Sequence, residues 1–321
     1  MRSLSLLLLL LPFVAACDSS CPNVQLLDSA SSNPALVEML FSVTCEGAAV
    51  TSITAADLTL IENNETVSAS ESPWVVHRAT DVLDSYTLVM LDVSDVVGDE
   101  DNLSALKVVT VDFVEAALEQ GQQVGIAIFD GDVEIRTIVS FSTDLLELTD
   151  GVNGITAADR RDPSTNLNGA IMLALGELST ALGPDSDDEL LGIANLLVVT
   201  DGTDSAQRQD DATAQSSVTD SVHEVFIVGV VDEEAAVELE LLAKNGLYRA
   251  SGYDDLVSAF QKATDGLLAE IGKFYRLSYC SPLRSPSTWL EMQVNHGDGS
   301  DSEGMAYETG GFGPGCELPA N

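Results

Sequence analysis

The residues best suited to chemistry are oxygen donors at the ends of apolar runs. Asp92-Val93-Ser94-Asp95-Val96 follows the run at 86–91, Ser164-Thr165-Asn166 precedes a helical stretch, and Thr200-Asp201-Gly202 closes the run at 196–200. Carboxylates and hydroxyls are hard ligands. Gathered at one place they suit Mg²⁺ or Mn²⁺ in octahedral geometry, with waters and a partner's carboxylate completing the shell. The same residue types also cap strand ends and tie loops, so the chemistry depends on whether the fold brings them together. Other chemistries are poorly provided for. Of the three histidines, His77, His223 and His296, none is expected near a nucleophile. No G-x-S-x-G elbow, phosphate-cradling glycine loop or zinc-ligand cluster occurs, so a hydrolase is the weakest function class. Residues 296–304 offer Asp298, Ser300, Asp301 and Glu303 in the manner of a calcium loop. The twelve-residue spacing of an EF-hand is missing there, and the stretch reads as a solvated hairpin.

The elements that must position these donors follow from periodicity. Residues 86–91, 124–129, 196–200 and 225–230 are short, continuous apolar runs, as strands buried on both faces require. Between them, 103–120, 167–182, 233–244 and 254–272 carry apolar residues at helical spacing. Asp130-Gly131 signals a hairpin into a charged, edge-like strand at 133–138, and 247–250 is a further short strand. Strands alternating with helices predict an α/β fold with a doubly wound, mostly parallel six-stranded sheet. Ligands of such sheets sit at the carboxyl ends of the strands, where the winding direction switches. Strand patterns without helices flank this unit at 36–44, 58–61 and 66–70, and again at 274–279, 289–294 and 305–309. Neither flank has enough strands for its own sandwich. The economical arrangement is one β-sandwich built from 34–82 and 274–321, with the α/β unit of 83–273 inserted into it.

Five segments, in this order, resemble the von Willebrand factor type A family over about residues 84–273: YTLVMLDVS, QQVGIAIFDG, STNLNGAI, NLLVVTDG and FIVGV. The resemblance implies a binding module, not an enzyme, with a metal-ion-dependent adhesion site of pattern D-x-S-x-S, a distant Thr and a distant Asp. Asp92 matches the first carboxylate, Ser94 the first serine, Thr165 the threonine and Asp201 the distal aspartate. Val96 stands where the family has its second serine, which removes one direct donor. Nearby Asp95, Asp99, Glu100 and Asp101 compensate in part through their negative potential. The implied functions are adhesion to or scaffolding of a protein partner that presents a carboxylate, or, without a cation, a structural subunit of an envelope complex. The segment FYRLSYCSPLR at 274–284 is similar to exported bacterial A-domain proteins and also reads as an amphipathic strand ending in a disulfide.

The amino terminus addresses the compartment. Arg2 precedes a leucine-rich run at 4–12, too short to span a hydrocarbon core of about 30 Å, so residues 1–16 read as an export signal. Val14-Ala15-Ala16-Cys17 resembles the lipobox of bacterial lipoproteins, which implies acylation of Cys17 and attachment to a membrane of the cell envelope. Asp18 is similar to the enterobacterial signal for inner-membrane retention. Residues 17–33, rich in Ser, Asn and Asp, read as a tether. Of five cysteines, four remain after Cys17: Cys21, Cys45, Cys280 and Cys316. Three pairings are open to them, and proximity favours Cys21–Cys45 and Cys280–Cys316. The chain carries 13 Lys and Arg against 52 Asp and Glu, a net charge of −39. That field repels nucleic acid and anionic surfaces and attracts cations or basic partners. Its even spread also matches an acidic surface adapted to salt.

Overall fold

The computed structural model describes residues 21–70, 72–94, 100–183, 190, 192–284 and 288–319. Strands precede and follow a central α/β unit. The first flank comprises β1 (Asn23–Ser32), β2 (Leu36–Cys45), β3 (Ala48–Ala49), β4 (Leu58–Glu62), β5 (Glu65–Thr66) and β6 (Trp74–Arg78), then the single turn α1 (Ala79–Val82). The central unit runs β7 (Ser85–Asp92), α2 (Glu100–Glu119), β8 (Gln123–Phe129), β9 (Arg136–Ser142), α3 (Leu145–Gly154) and α4 (Leu167–Leu182). It continues with β10 (Ile193–Thr200), α5 (Asp211–Asp220), β11 (Glu224–Val230), α6 (Glu233–Glu240), β12 (Gly246–Ala250) and α7 (Leu256–Ile271). β13 (Phe274–Cys280), β14 (Thr288–His296) and β15 (Gly299–Tyr307) complete the chain.

The central sheet has the order β12-β11-β10-β7-β8-β9, parallel throughout except for β8–β9. Counted along the chain this is the doubly wound order 3-2-1-4-5-6, and the winding direction reverses between β7 and β10. All eight residues of β10 are buried, which explains its apolar run at 196–199. α2, α3 and α7 cover one face through Leu106, Phe113, Leu148, Phe260 and Leu267, and α4, α5 and α6 cover the other through Ile171, Leu178, Val218 and Leu239. Each such fully buried side chain contributes about 1.5–3 kcal/mol, so the two cores hold β7 and β10 rigidly at the reversal.

The flanks meet in two further sheets, β1-β2-β13-β6 and β15-β14-β4-β5. β13 inserts antiparallel between β2 and β6, with Phe41 opposite Tyr275, and β14 pairs with β4, with Leu60 opposite Met292. Their shared core holds Val37, Met39, Phe41, Leu60, Tyr275, Leu277 and Val294. Glu38 is buried in the middle of β2, where the Arg276 Nε donates to it at 2.8 Å and the Ser278 hydroxyl at 2.7 Å. Cys21 is bonded to Cys45 and Cys280 to Cys316.

Several local expectations change. The stretch 17–33 is not a tether as far as it is described: Asn23–Ser32 is a ten-residue strand paired along β2. Val24 and Ala30 are buried, but a register shift between Leu26 and Asp28 breaks the alternation and leaves Leu27 outside, so the pattern reads as polar coil. The strand expected at 66–70 is confined to Glu65–Thr66, while Trp74–Arg78, half-buried on every residue, forms β6. β9 starts at Arg136 and not at 133, because Asp130 accepts the Asp132 N–H at 2.8 Å and pairs with Arg136 at 2.9 Å, holding a wide loop in place of a tight turn. The two extra helices α3 and α5 begin at Asp144 and Asp210, whose carboxylates accept backbone N–H groups of their first turns. The third carboxyl-terminal strand covers 299–307 in place of 305–309, so 296–304 is the end of a β-hairpin.

Candidate metal centre

The reversal point gathers four oxygen-bearing residues. Asp92 is the last residue of β7 and Thr200 the last of β10, the neighbouring strand. Apolar packing of Leu88–Leu91 and Leu196–Val199 drives both strands inward, so their ends present side chains at one edge of the sheet. Asp92 is almost fully buried. Its Oδ1 accepts the Ser94 backbone N–H at 2.9 Å, and its Oδ2 accepts the Thr200 hydroxyl at 2.7 Å. The first bond folds the chain after β7 back on itself and sets the Ser94 hydroxyl 2.9 Å from that of Thr165.

Thr165 is delivered by the loop before α4. Its N–H donates to the Ser205 hydroxyl at 2.9 Å and its carbonyl accepts the Ala206 N–H at 2.9 Å, which locks the loop to the segment after β10. Asp201 follows Thr200, and its Oδ2 accepts the Tyr253 hydroxyl at 3.0 Å. Arg160 reaches the Ser94 carbonyl at 3.1 Å, spending its charge on backbone and not on the Asp92 carboxylate.

Electrostatics at the site are unbalanced. Burial, with the Asp201 charge beside it, pushes the Asp92 carboxyl from its ordinary 3.8 up to about 7, against the lowering effect of the Ser94 and Thr200 hydrogen bonds. Among the described residues no basic side chain is hydrogen-bonded to the Asp92 carboxylate, which meets only the Ser94 N–H and the Thr200 hydroxyl. Ser94 and Thr165 add hard hydroxyl oxygens next to it. Among the described residues no cluster of three or more His, Cys, Asp or Glu side chains suited to a metal occurs, at this edge of the sheet or elsewhere.

Asp92, Ser94, Thr165 and Asp201 are therefore at one place with Thr200, and Ser205 and Tyr253 join them unanticipated. Tyr253 is signalled by nothing local, since it comes from a turn ahead of α7. Val96, Asp95 and Asp99 lie outside the described residues, as does Cys17.

One expectation about histidine is corrected. His223 Nε2 lies 2.9 Å from the Ser179 hydroxyl, at the end of the sheet opposite Asp92. The Ser179 hydroxyl also lies 3.0 Å from the Leu175 carbonyl, to which it can donate. The His223 Nδ1 is buried without a hydrogen-bond partner among the described residues. Burial, with nearby Lys244, lowers the His223 pKa to about 4, leaving it neutral near pH 7. His77 sits in β6 and His296 at the end of β14.

No protein-family model and no curated protein matches the chain. Among solved structures it is similar to proximal thread matrix protein 1 from the mussel byssus, at 16% identity and a TM-score of 0.48 over 58% of this chain and 48% of that one. The chain thus spans about half the length of the byssus protein, which is also known with a zinc-occupied MIDAS motif. It is similar to BatB from Bacteroides thetaiotaomicron, at 17% identity and a TM-score of 0.44 over 59% and 99% of the two chains. The vWF domain of the type V pili tip protein Mfa5 from Porphyromonas gingivalis shares 11% identity at a TM-score of 0.45, over 59% and 97%. Among the described residues no helix is long and apolar enough to cross a membrane.

Proposed function

We propose that this chain is a lipid-anchored protein of the bacterial cell envelope that binds a protein partner at the top of a von Willebrand factor A-type sheet. The observation that carries the reading is Asp92, a buried carboxylate without a cationic side chain at the reversal point, bridged to Ser94 and Thr200. Ser94 and Thr165 would hold Mg²⁺ or Mn²⁺ through their hydroxyls, with Asp92 and Asp201 acting largely through water. Such a cation would supply a coordination position for a partner's carboxylate. The protein's own residues do the rest. The Ser205 and Ala206 bonds fix Thr165, Tyr253 orients Asp201, and Thr200 keeps Asp92 from turning away.

A second reading, a metal-independent structural subunit, is favoured by Val96, which offers no oxygen where the adhesion-site pattern has a serine. Calorimetry on protein stripped of metal separates the two. Wild type should bind Mg²⁺ weakly, Val96→Ser should bind it about 10-fold tighter for one recovered donor, and Asp201→Ala should not bind in either background. If wild type and Val96→Ser both fail to bind Mg²⁺ or Mn²⁺ at millimolar concentration, the metal-independent reading replaces the first. Affinity capture from native membranes, with and without chelator, then identifies the partner.

A further inference from the structure

The start of the folded chain lies close to the residue proposed to carry lipid. Only three residues separate Cys17 from Cys21. Fully extended, four residue steps reach at most about 14 Å. Cys21 cannot peel away to lengthen the leash, because it is bonded to Cys45 at the end of β2 and is followed at once by β1, which pairs with β2 from Asn23 to Ser32. The end of the sandwich at Cys21 is equally fixed. The Val24 N–H donates to Asp301 Oδ2 at 2.8 Å, and a Cβ on Gly299 would lie 2.0 Å from the Cys21 carbonyl, so the tip of the β14–β15 hairpin abuts the anchor point.

Resting on the lipid-anchor reading above, we propose that this edge of the sandwich, the turn at Glu46–Gly47 with the hairpin tip at Gly297–Asp298, is apposed to the phospholipid headgroup layer. The protein then stands on the membrane and does not swing above it. All four of these residues are exposed. Both turns carry acid, as does Asp18, so they gain nothing from anionic lipid. The apposition is imposed by the covalent anchor, and the occupant of this face is a headgroup surface of any composition, not a lipid selected by charge. A second copy of the chain is disfavoured at the same face, where acid would meet acid.

The far end of the sandwich provides an internal reference. β14 runs nine residues from Thr288 to His296, which separates its two ends by about 27 Å. Glu65, in the turn region at the Thr288 end, is exposed and remote from Cys21.

The test uses the full acylated protein in phosphatidylcholine vesicles that contain a lipid with a headgroup-attached nitroxide. The other cysteines being bonded or acylated, Asp298→Cys and Glu65→Cys each accept one fluorophore, and non-reducing mass spectrometry checks that both disulfides survive. Fluorescence should be quenched several-fold more strongly at 298 than at 65. Inserting about twelve Gly and Ser residues between Cys17 and Cys21, a coil of about 19 Å root-mean-square length, should bring the quenching at 298 down to that at 65. Equal quenching at the two positions in anchored protein, or no effect of the insertion, overturns the apposition while leaving the anchor intact. A mature chain that carries no acyl group by mass and does not float with vesicles overturns the lipid anchor itself, and the apposition with it.

Discussion

Asp92→Asn should make the metal-free protein more stable at alkaline pH, the reverse of the usual effect of altering a buried, hydrogen-bonded residue. Asparagine keeps the geometry. Its Oδ1 accepts the Ser94 N–H, and its amide donates to the Thr200 hydroxyl, whose hydrogen turns to the Gly202 carbonyl 3.0 Å away. What changes is the charge. The Asp92 carboxyl is pushed from 3.8 up to about 7, so between those values the folded chain holds a proton that the unfolded chain has lost. Stability therefore falls as pH rises across this window and levels off above 7. At about 1.4 kcal/mol per pH unit the ionised side chain weakens the fold by up to about 4 kcal/mol at pH 8. The asparagine variant escapes that loss, and its advantage over wild type should grow by roughly this amount between pH 4 and pH 8. Denaturant unfolding of both proteins in chelator, at the two pH values, measures it. Saturating Mg²⁺ should narrow or reverse the gap, because only wild type gains from the cation. An advantage that is the same at both pH values, or an asparagine variant that is less stable at pH 8, would refute the picture of an uncompensated buried charge.

Three further outcomes are expected. Cys17→Ser should leave the membrane fraction or remain unprocessed, and a variant that is cleaved yet still pellets with membranes would contradict the lipid anchor. His223, with its pKa lowered from 6.5 to about 4, is neutral in the fold. Stability it contributes is complete above 6.5 and declines by up to about 3 kcal/mol as pH falls to 4, and His223→Gln should flatten that part of the pH profile. Breaking Cys280–Cys316, which closes a separation of 36 residues, should cost the sandwich about 4 kcal/mol, measured as a shift in its melting transition after Cys280→Ser with Cys316→Ser.

How much of this was legible in the sequence depended on whether a residue's partners were near it in the chain. β10 and β11 announce themselves because strands buried on both faces carry continuous apolar runs, here 196–199 and 225–230. The oxygen donors at 92, 94, 165 and 201 could be grouped because a doubly wound sheet places them at one edge. Tyr253 escaped notice because its hydroxyl finds Asp201 across a fold-level gap that no local pattern marks. β1 escaped because one bulge turned an alternating strand into an apparently irregular, polar one. α5, with its sequence Asp-Ala-Thr-Ala-Gln-Ser-Ser-Val-Thr-Asp, buries only Ala214 and Val218, too few apolar positions to show a helical period. The Ser179–His223 contact belongs to the same class: it joins a helix to a loop 44 residues on.

The pairing of β2 with β13 has a consequence for biosynthesis. A chain made from its amino terminus completes β2 long before β13 exists. For more than two hundred residues of growth Leu36–Cys45, with seven buried positions, has an open edge, the kind of segment that sticks to other unfinished chains. Glu38 interrupts that segment. While the strand waits, its charge is hydrated and discourages stray pairing. When β13 arrives, Arg276 and Ser278 bind it, 238 and 240 residues further along, and the charge is enclosed with partners. A polar residue in the middle of a core strand thus acts as a gatekeeper during synthesis that is neutralised only by the strand for which the place was kept.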